Sequence, residues 1–276
     1  RKTSVFAVLK YSQFGHRDVE TTSEACVEMF KILLADKSPL VLAPAIIAFF
    51  QMFPDEHQML HVIFRRVCRQ LVYFESQYVL PVIQILIQYS LKFLKKPEPE
   101  VEEVKPETVE NGKQGEDDEE ESSEEDKKTD FFAKTSSVVD NKDLRFLLDC
   151  AHDLLYQNEG SILVAVAMLY YYCGSEDHLR RVAKPLLSFK GQPQEISYCM
   201  LKVIESLSRK DPELFRLYMK FFFVCATDIA SIRSIKLSIL VNLTSKTNAT
   251  TIIKEIKSYI RYPSHEFAAE SIKALG

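Results

Sequence analysis

His57 and His61 stand four residues apart, a separation that puts two imidazoles on one face of a helix, where they could hold a metal ion. The residues between them are Gln58, Met59 and Leu60, so the glutamate that serves as general base in helical zinc hydrolases is missing. No third ligand follows, and the pair reads as a solvated or packed helix face. Cys150 and His152 bring a nucleophile and a base close in sequence, but so near together on a helix they point in different directions. Six cysteines (Cys26, Cys68, Cys150, Cys173, Cys199 and Cys225) lie far apart, each inside an apolar helical pattern. They read as reduced, buried thiols of a cytosolic protein, not as a disulfide framework. No Gly-rich phosphate loop is present. With no nucleophile–base pair and no ligand set at usable spacing, neither enzyme activity nor a metal or cofactor is expected.

Other side chains suggest binding. Arg65, Arg66 and Arg69 share one helix at one-turn spacing, and Arg180, Arg181 and Lys184 repeat the arrangement. Each set is either a solvated face or a contact for anionic lipid headgroups or an acidic partner. Nothing matches a nucleic-acid-binding fold signature. Ser122 and Ser123 precede Glu125 and Asp126 at the third position, the pattern acidophilic kinases favour, so both are candidate phosphorylation sites. Tyr170-Tyr171-Tyr172 and Phe221-Phe222-Phe223 read as core with one ring of each triplet partly exposed, the alternative being a peptide groove.

The elements that must position these residues are helices. Only 7 glycines in 276 residues leave too few turn signals for a strand-rich fold. The stretch Asp211–Leu243 organises the rest. Asp211-Pro212 is a helix start, and apolar residues recur at helical spacing from Leu214 to Cys225. Thr227-Asp228 reads as a second cap, followed by Ile232, Ile235, Ile239 and Leu243. Upstream, Thr21 with Glu24 has capping-box spacing, Ser38-Pro39 opens a helix to Phe53 with Pro44 inside, Asp55 with Gln58 opens another to Phe74, and Gln77 to Leu94 is a fourth. Residues 1–18 suggest the end of a truncated helix, as in a piece of a longer protein. The apolar runs Pro39–Phe53 and Gln77–Leu94 read as core helices, not membrane spans.

At Pro97 the composition changes. Glu98–Asp126 carries fifteen acids against Lys105 and Lys113, a net of −13. Such a segment buries too little apolar surface to offset its ordering entropy and is expected to be disordered. The whole chain is −4, so the residues outside that segment sum to +9. Helices resume at about 141–157, 160–173, 177–190, 192–208, 212–225, 229–245, 249–261 and 265–275, the last pairs repeating at roughly 37 residues, as in HEAT and armadillo arrays. The expectation is an all-α, right-handed solenoid of stacked antiparallel helix pairs, residues 1–96 and 140–276, interrupted by a disordered acidic insert at 97–139.

With the helices placed, the chain resembles the trunk of a beta-adaptin, a large subunit of the adaptor-protein coat complexes. The resemblance rests on Lys184-Pro185-Leu186-Leu187, on Phe222-Phe223-Val224 with Thr227-Asp228, and on the run Ile235 to Leu243. Asn248, Ile252 and the close Glu266-Phe267-Ala268-Ala269 to Leu275-Gly276 extend it, as do Leu33 to Val41, Ala48-Phe49 with Pro54, and Arg66 to Leu71. The acidic insert and the Phe267-Ala268-Ala269 ending are most similar to the beta subunit of adaptor protein complex 3. Asp143-Leu144-Arg145 departs from the family's Asp-His-Arg, and Ile229 stands where a proline often follows the aspartate. The resemblance implies a non-enzymatic scaffold in a heterotetramer with a medium, a small and a second large subunit. It also implies recruitment by a small GTPase of the Arf class and sorting of membrane cargo from Golgi or endosome to lysosome or vacuole. The expected location is the cytoplasm, peripherally on Golgi and endosomal membranes and coated vesicles. The rival reading is an importin-like transport receptor or another HEAT-repeat scaffold.

Overall fold

The computed structural model describes residues 3, 19–94, 142–157 and 159–276. The regular structure among these residues is helical, with no strand. In chain order the helices are α1 (Val19–Leu34), α2 (Pro39–Met52), α3 (Gln58–Gln70), α4 (Ser76–Phe93), α5 (Lys142–His152), α6 (Gly160–Cys173), α7 (Glu176–Leu186), α8 (Gln194–Lys210), α9 (Glu213–Arg216), α10 (Ala230–Asn242), α11 (Ala249–Tyr259) and α12 (His265–Leu275). Four 3₁₀ turns, at Leu71–Tyr73, Asp153–Gln157, Leu187–Gly191 and Met219–Phe222, extend or follow α3, α5, α7 and α9.

Two rows form because the helices have two kinds of surface. Helices α2 and α6 are apolar almost all round, and such helices can only be central. Helices α3 and α7 carry one apolar stripe, Leu60, Phe64, Val67 and Cys68 in the first, Leu179, Val182, Ala183 and Leu186 in the second. The even-numbered helices pack in sequence, α2 on α4, α4 on α6, α6 on α8, α8 on α10 and α10 on α12. Odd-numbered helices line the other side, with α3 against α5 and α7 against α9. The seam from α4 to α6 crosses directly from one side of residues 95–141 to the other, and one core cluster runs from Cys26 to Phe267. At the start of α6, Gly160 is buried where α8 crosses closely. A Cβ there would lie 2.3 Å from the Ile196 Cγ2.

Several local expectations are corrected. The predicted helix 212–225 is a single turn, α9, followed by a 3₁₀ turn and extended backbone at Phe223. Asp211 does accept a hydrogen bond from the Glu213 N–H, so the start is right. The helix stops because Tyr218 and Phe221 to Val224 are weak helix formers, and Phe222 gains more by turning inward than by continuing a face. Thr227-Asp228 is not the cap of α10. Ile229 holds that place, and Asp228 bonds elsewhere. Asp55 is likewise replaced by His57 before α3, and Thr21 lies inside α1, which starts at Val19. Cys26, Cys68 and Cys173 are buried, but Cys199 and Cys225 are exposed, and Cys225 lies outside any helix. The stretch 1–18 apart from Thr3, the insert 97–139, and Ser122 and Ser123 lie outside the described residues.

Candidate functional site

The two basic sets differ in their surroundings. On α3, the Arg65 guanidinium lies 2.8 Å from the Asp143 carboxylate of α5. Arg66 donates to the carbonyls of Leu34 and Ala35 at the C-terminal end of α1, where a cation meets the negative end of the helix dipole. Gln70 adds a bond to the Lys37 carbonyl, and Arg69 lies 5.6 Å over the Phe146 ring. All three arginines therefore tie α3 to its neighbours. On α7, Arg180, Arg181 and Lys184 are exposed, and among the described residues Arg180 alone of the three approaches carboxylates, Glu176 at 3.9 Å and Asp177 at 3.8 Å. An ion pair that open holds its geometry weakly, so this face keeps its positive character.

His57 and His61 are packed among aromatic rings. His57 lies on the Phe50 ring at 5.8 Å and meets Phe93 at 5.2 Å. Burial, helped by Lys92, holds its imidazole below the ordinary value, which favours the neutral ring these contacts need. His61 shares a 2.5 Å hydrogen bond with the Tyr89 hydroxyl. Among the described residues no group of three or more His, Cys, Asp or Glu could hold a metal ion. No helix among them is long and apolar enough to cross a membrane.

Sequence reasoning missed two polar centres on α8 and α10. Lys236 is 2% exposed, its ammonium 2.6 Å from the Asp228 carboxylate and 5.8 Å over the Phe189 ring. The same Asp228 oxygen accepts from the Cys225 N–H. The pair closes the floor of an open cleft of about 340 Å³, whose walls include Lys190, Gln194, Ser197 and Ile229. The second centre is Glu205, 7% exposed, which accepts from Ser238 at 2.6 Å, Lys202 at 3.0 Å and Arg209 at 3.0 Å. Asn242 donates to the Ser208 hydroxyl beside it. A signal existed for both. Lys236 follows Ile232 by one turn on the face that Ile239 and Leu240 continue, and Lys202 and Arg209 stand one turn either side of Glu205.

The Glu205 centre has a testable pH signature. Burial works to raise its pKa, but the Ser238 hydroxyl, Lys202 and Arg209 outweigh it, and the folded-state value lies below the ordinary 4.5. A depressed carboxyl contributes stability that is complete above its unfolded value and is lost as pH falls through the folded one. Glu205→Gln should therefore cost about 1.5–3 kcal/mol near pH 7, the range for bonds to a charged group, and the deficit should shrink below pH 4.5. Urea midpoints across pH read this, and a deficit independent of pH would remove the carboxylate from the account.

Comparison with known proteins gives this arrangement a context. The family model described as the adaptin N terminal region matches residues 1–276. The AP-3 complex subunit beta-2 of Mus musculus is 29% identical over 278 residues, covering 100% of this chain and 25% of that protein. The AP-3 complex subunit beta-1 of Homo sapiens is 28% identical, covering 92% of this chain and 22% of its own length. The AP-3 complex subunit beta of Dictyostelium discoideum is 28% identical, covering 100% and 25%. The chain thus spans about a quarter of the length of such relatives. A homology model of the full-length AP-3 complex in an intermediate open conformation contains a chain of similar fold, with TM-score 0.59 and 23% identity over 98% of this chain and 42% of that one.

Proposed function

The chain belongs to the adaptin N-terminal family, and from that membership we propose that it is the helical trunk of the beta subunit of an AP-3-type adaptor complex. The observation that carries this reading is the match of the family model across all 276 residues, joined to relatives that bear the AP-3 beta name. The trunk works as a non-enzymatic scaffold. Its two rows of helices present long surfaces to partners, and the buried contacts from α1 to α12 keep those surfaces in fixed relation.

In this reading a second large subunit, a medium subunit and a small subunit complete a heterotetramer on the cytoplasmic side of Golgi and endosomal membranes. A GTPase of the Arf class recruits the complex, which sorts membrane cargo toward lysosome or vacuole. Arg180, Arg181 and Lys184 supply an exposed basic face for anionic lipid, each charge near such a surface contributing about 1 kcal/mol. Affinity purification of the tagged protein from its own cells is expected to recover medium, small and second large adaptins in equal amounts. Recovery of a nuclear-transport GTPase without any adaptin would overturn the proposal.

A further inference from the structure

Between α6 and α8 lies a groove of about 300 Å³, remote in chemistry from the basic face of α7. One wall is Met168, Tyr171 and Tyr172, which fall on one face of α6 at three- and four-residue steps. The other is Lys202, Val203, Ser206 and Leu207 of α8. The two tyrosine rings meet edge to face at 5.2 Å, and Tyr172 is 48% exposed. This is the outer part of the Tyr170–Tyr172 triplet, whose first ring alone is fully buried.

The groove is apolar along its length and positive at both ends. Lys210 lies 4.9 Å over the Tyr171 ring and is exposed, with no carboxylate partner among the described residues. Lys202, at the other end, shares the single Glu205 carboxylate with Arg209, so that trio carries an excess positive charge. A methionine, two tyrosines and short aliphatic side chains make walls that accept an inserted side chain of varied shape. A volume of about 300 Å³ is at the small end for ligand pockets and suits one or two large side chains, not a docked helix.

We propose that this groove binds a short extended peptide segment in which one bulky apolar residue is flanked on both sides by acidic residues. The spacing follows from helix geometry. Lys202 and Lys210 are eight residues apart on α8, about 12 Å along its axis at 1.5 Å per residue. An extended chain covers that distance in about four residues at 3.3–3.6 Å each. The carboxylates therefore stand four positions apart with the anchor midway. A flat lipid surface offers anionic charge but nothing to fill the apolar slot between the lysines, which decides for a peptide.

The probe is the fluorescein-labelled peptide Asp-Ser-Phe-Ser-Asp, titrated with the intact chain in a fluorescence anisotropy experiment. Saturable binding is expected, lost when the phenylalanine becomes alanine and weakened when either aspartate becomes asparagine. Lys202→Glu with Lys210→Glu should weaken it about tenfold, the scale for two partly exposed charge contacts. Ser206→Trp, which fills the slot from an exposed position, should abolish it, while Lys254→Glu at an exposed position of α11 should leave it unchanged. Circular dichroism melts of each variant check that the fold is retained. Binding that survives Ser206→Trp, or no saturable binding by the wild type, overturns the proposal. So does a result in which the double charge reversal lowers binding to phosphatidylserine vesicles while the peptide fails to bind. If the trunk proved not to be an adaptin while the peptide still bound, only the functional reading above would fall.

Discussion

Asp228→Ala is expected to destabilise the α8–α10 region by about 3–5 kcal/mol, the cost of leaving one charge of a buried pair without its partner. Lys236 is 2% exposed and lies against the Phe189 ring, so little water reaches its ammonium to replace the carboxylate once that is gone. The substitution also strips the Cys225 N–H of its acceptor. The double variant Asp228→Ala with Lys236→Met should recover most of the loss, since a buried ion pair replaced by apolar groups of similar volume is often close to neutral. In a repeat array the transition need not be two-state. Hydrogen exchange of the α8 and α10 amides is therefore the measurement, with urea midpoints beside it. A loss of less than about 1 kcal/mol for the single variant would put the pair with exposed bridges and refute the buried-charge account.

A second large effect is expected at Phe222. Its ring is fully buried, parallel to Phe189 at 6.1 Å and edge-on to Phe215 at 6.1 Å. Phe222→Ala should cost about 3–5 kcal/mol, combining lost transfer energy with the cavity left behind. Phe221, one residue earlier, is 41% exposed under the Lys190 ammonium, and Phe221→Ala should stay within about 0.5–1 kcal/mol. Thermal melts of the two variants settle the contrast. Equal losses would mean that Phe222 does not anchor the segment between α9 and α10.

Much of the array was legible from residue pattern. Runs such as Ile162 to Tyr170 are apolar at every helical position, and a helix of that kind has to be central. Helix α7 shows Leu179, Val182, Ala183 and Leu186 on one side and Arg180, Arg181 and Lys184 on the other, so its burial and its basic face follow from one period. The family signal had the same origin, since it rests on residues such as Ile235 to Leu243 whose order the core requires.

Other features depend on neighbours distant in sequence. Arg65, Arg66 and Arg69 form a spaced basic set like that of α7, yet their partners, Asp143, the carbonyls of Leu34 and Ala35, and Phe146, are brought to them only by packing. Local spacing cannot distinguish the two sets because the charges and periods are alike. Asp228 reads as a helix cap from its position, but the folded chain offers it a buried lysine, and a buried charge needs its counter-charge more than a helix end needs a cap. The segment 212–225 keeps helical spacing on paper, and is broken because Phe222 is drawn between Phe189 and Phe215 of other elements. Sequence alone determined which faces are apolar and hence an array of helices. Tertiary packing alone decided which charges are used inside it and which remain exposed, because that depends on what each side chain meets across a helix interface.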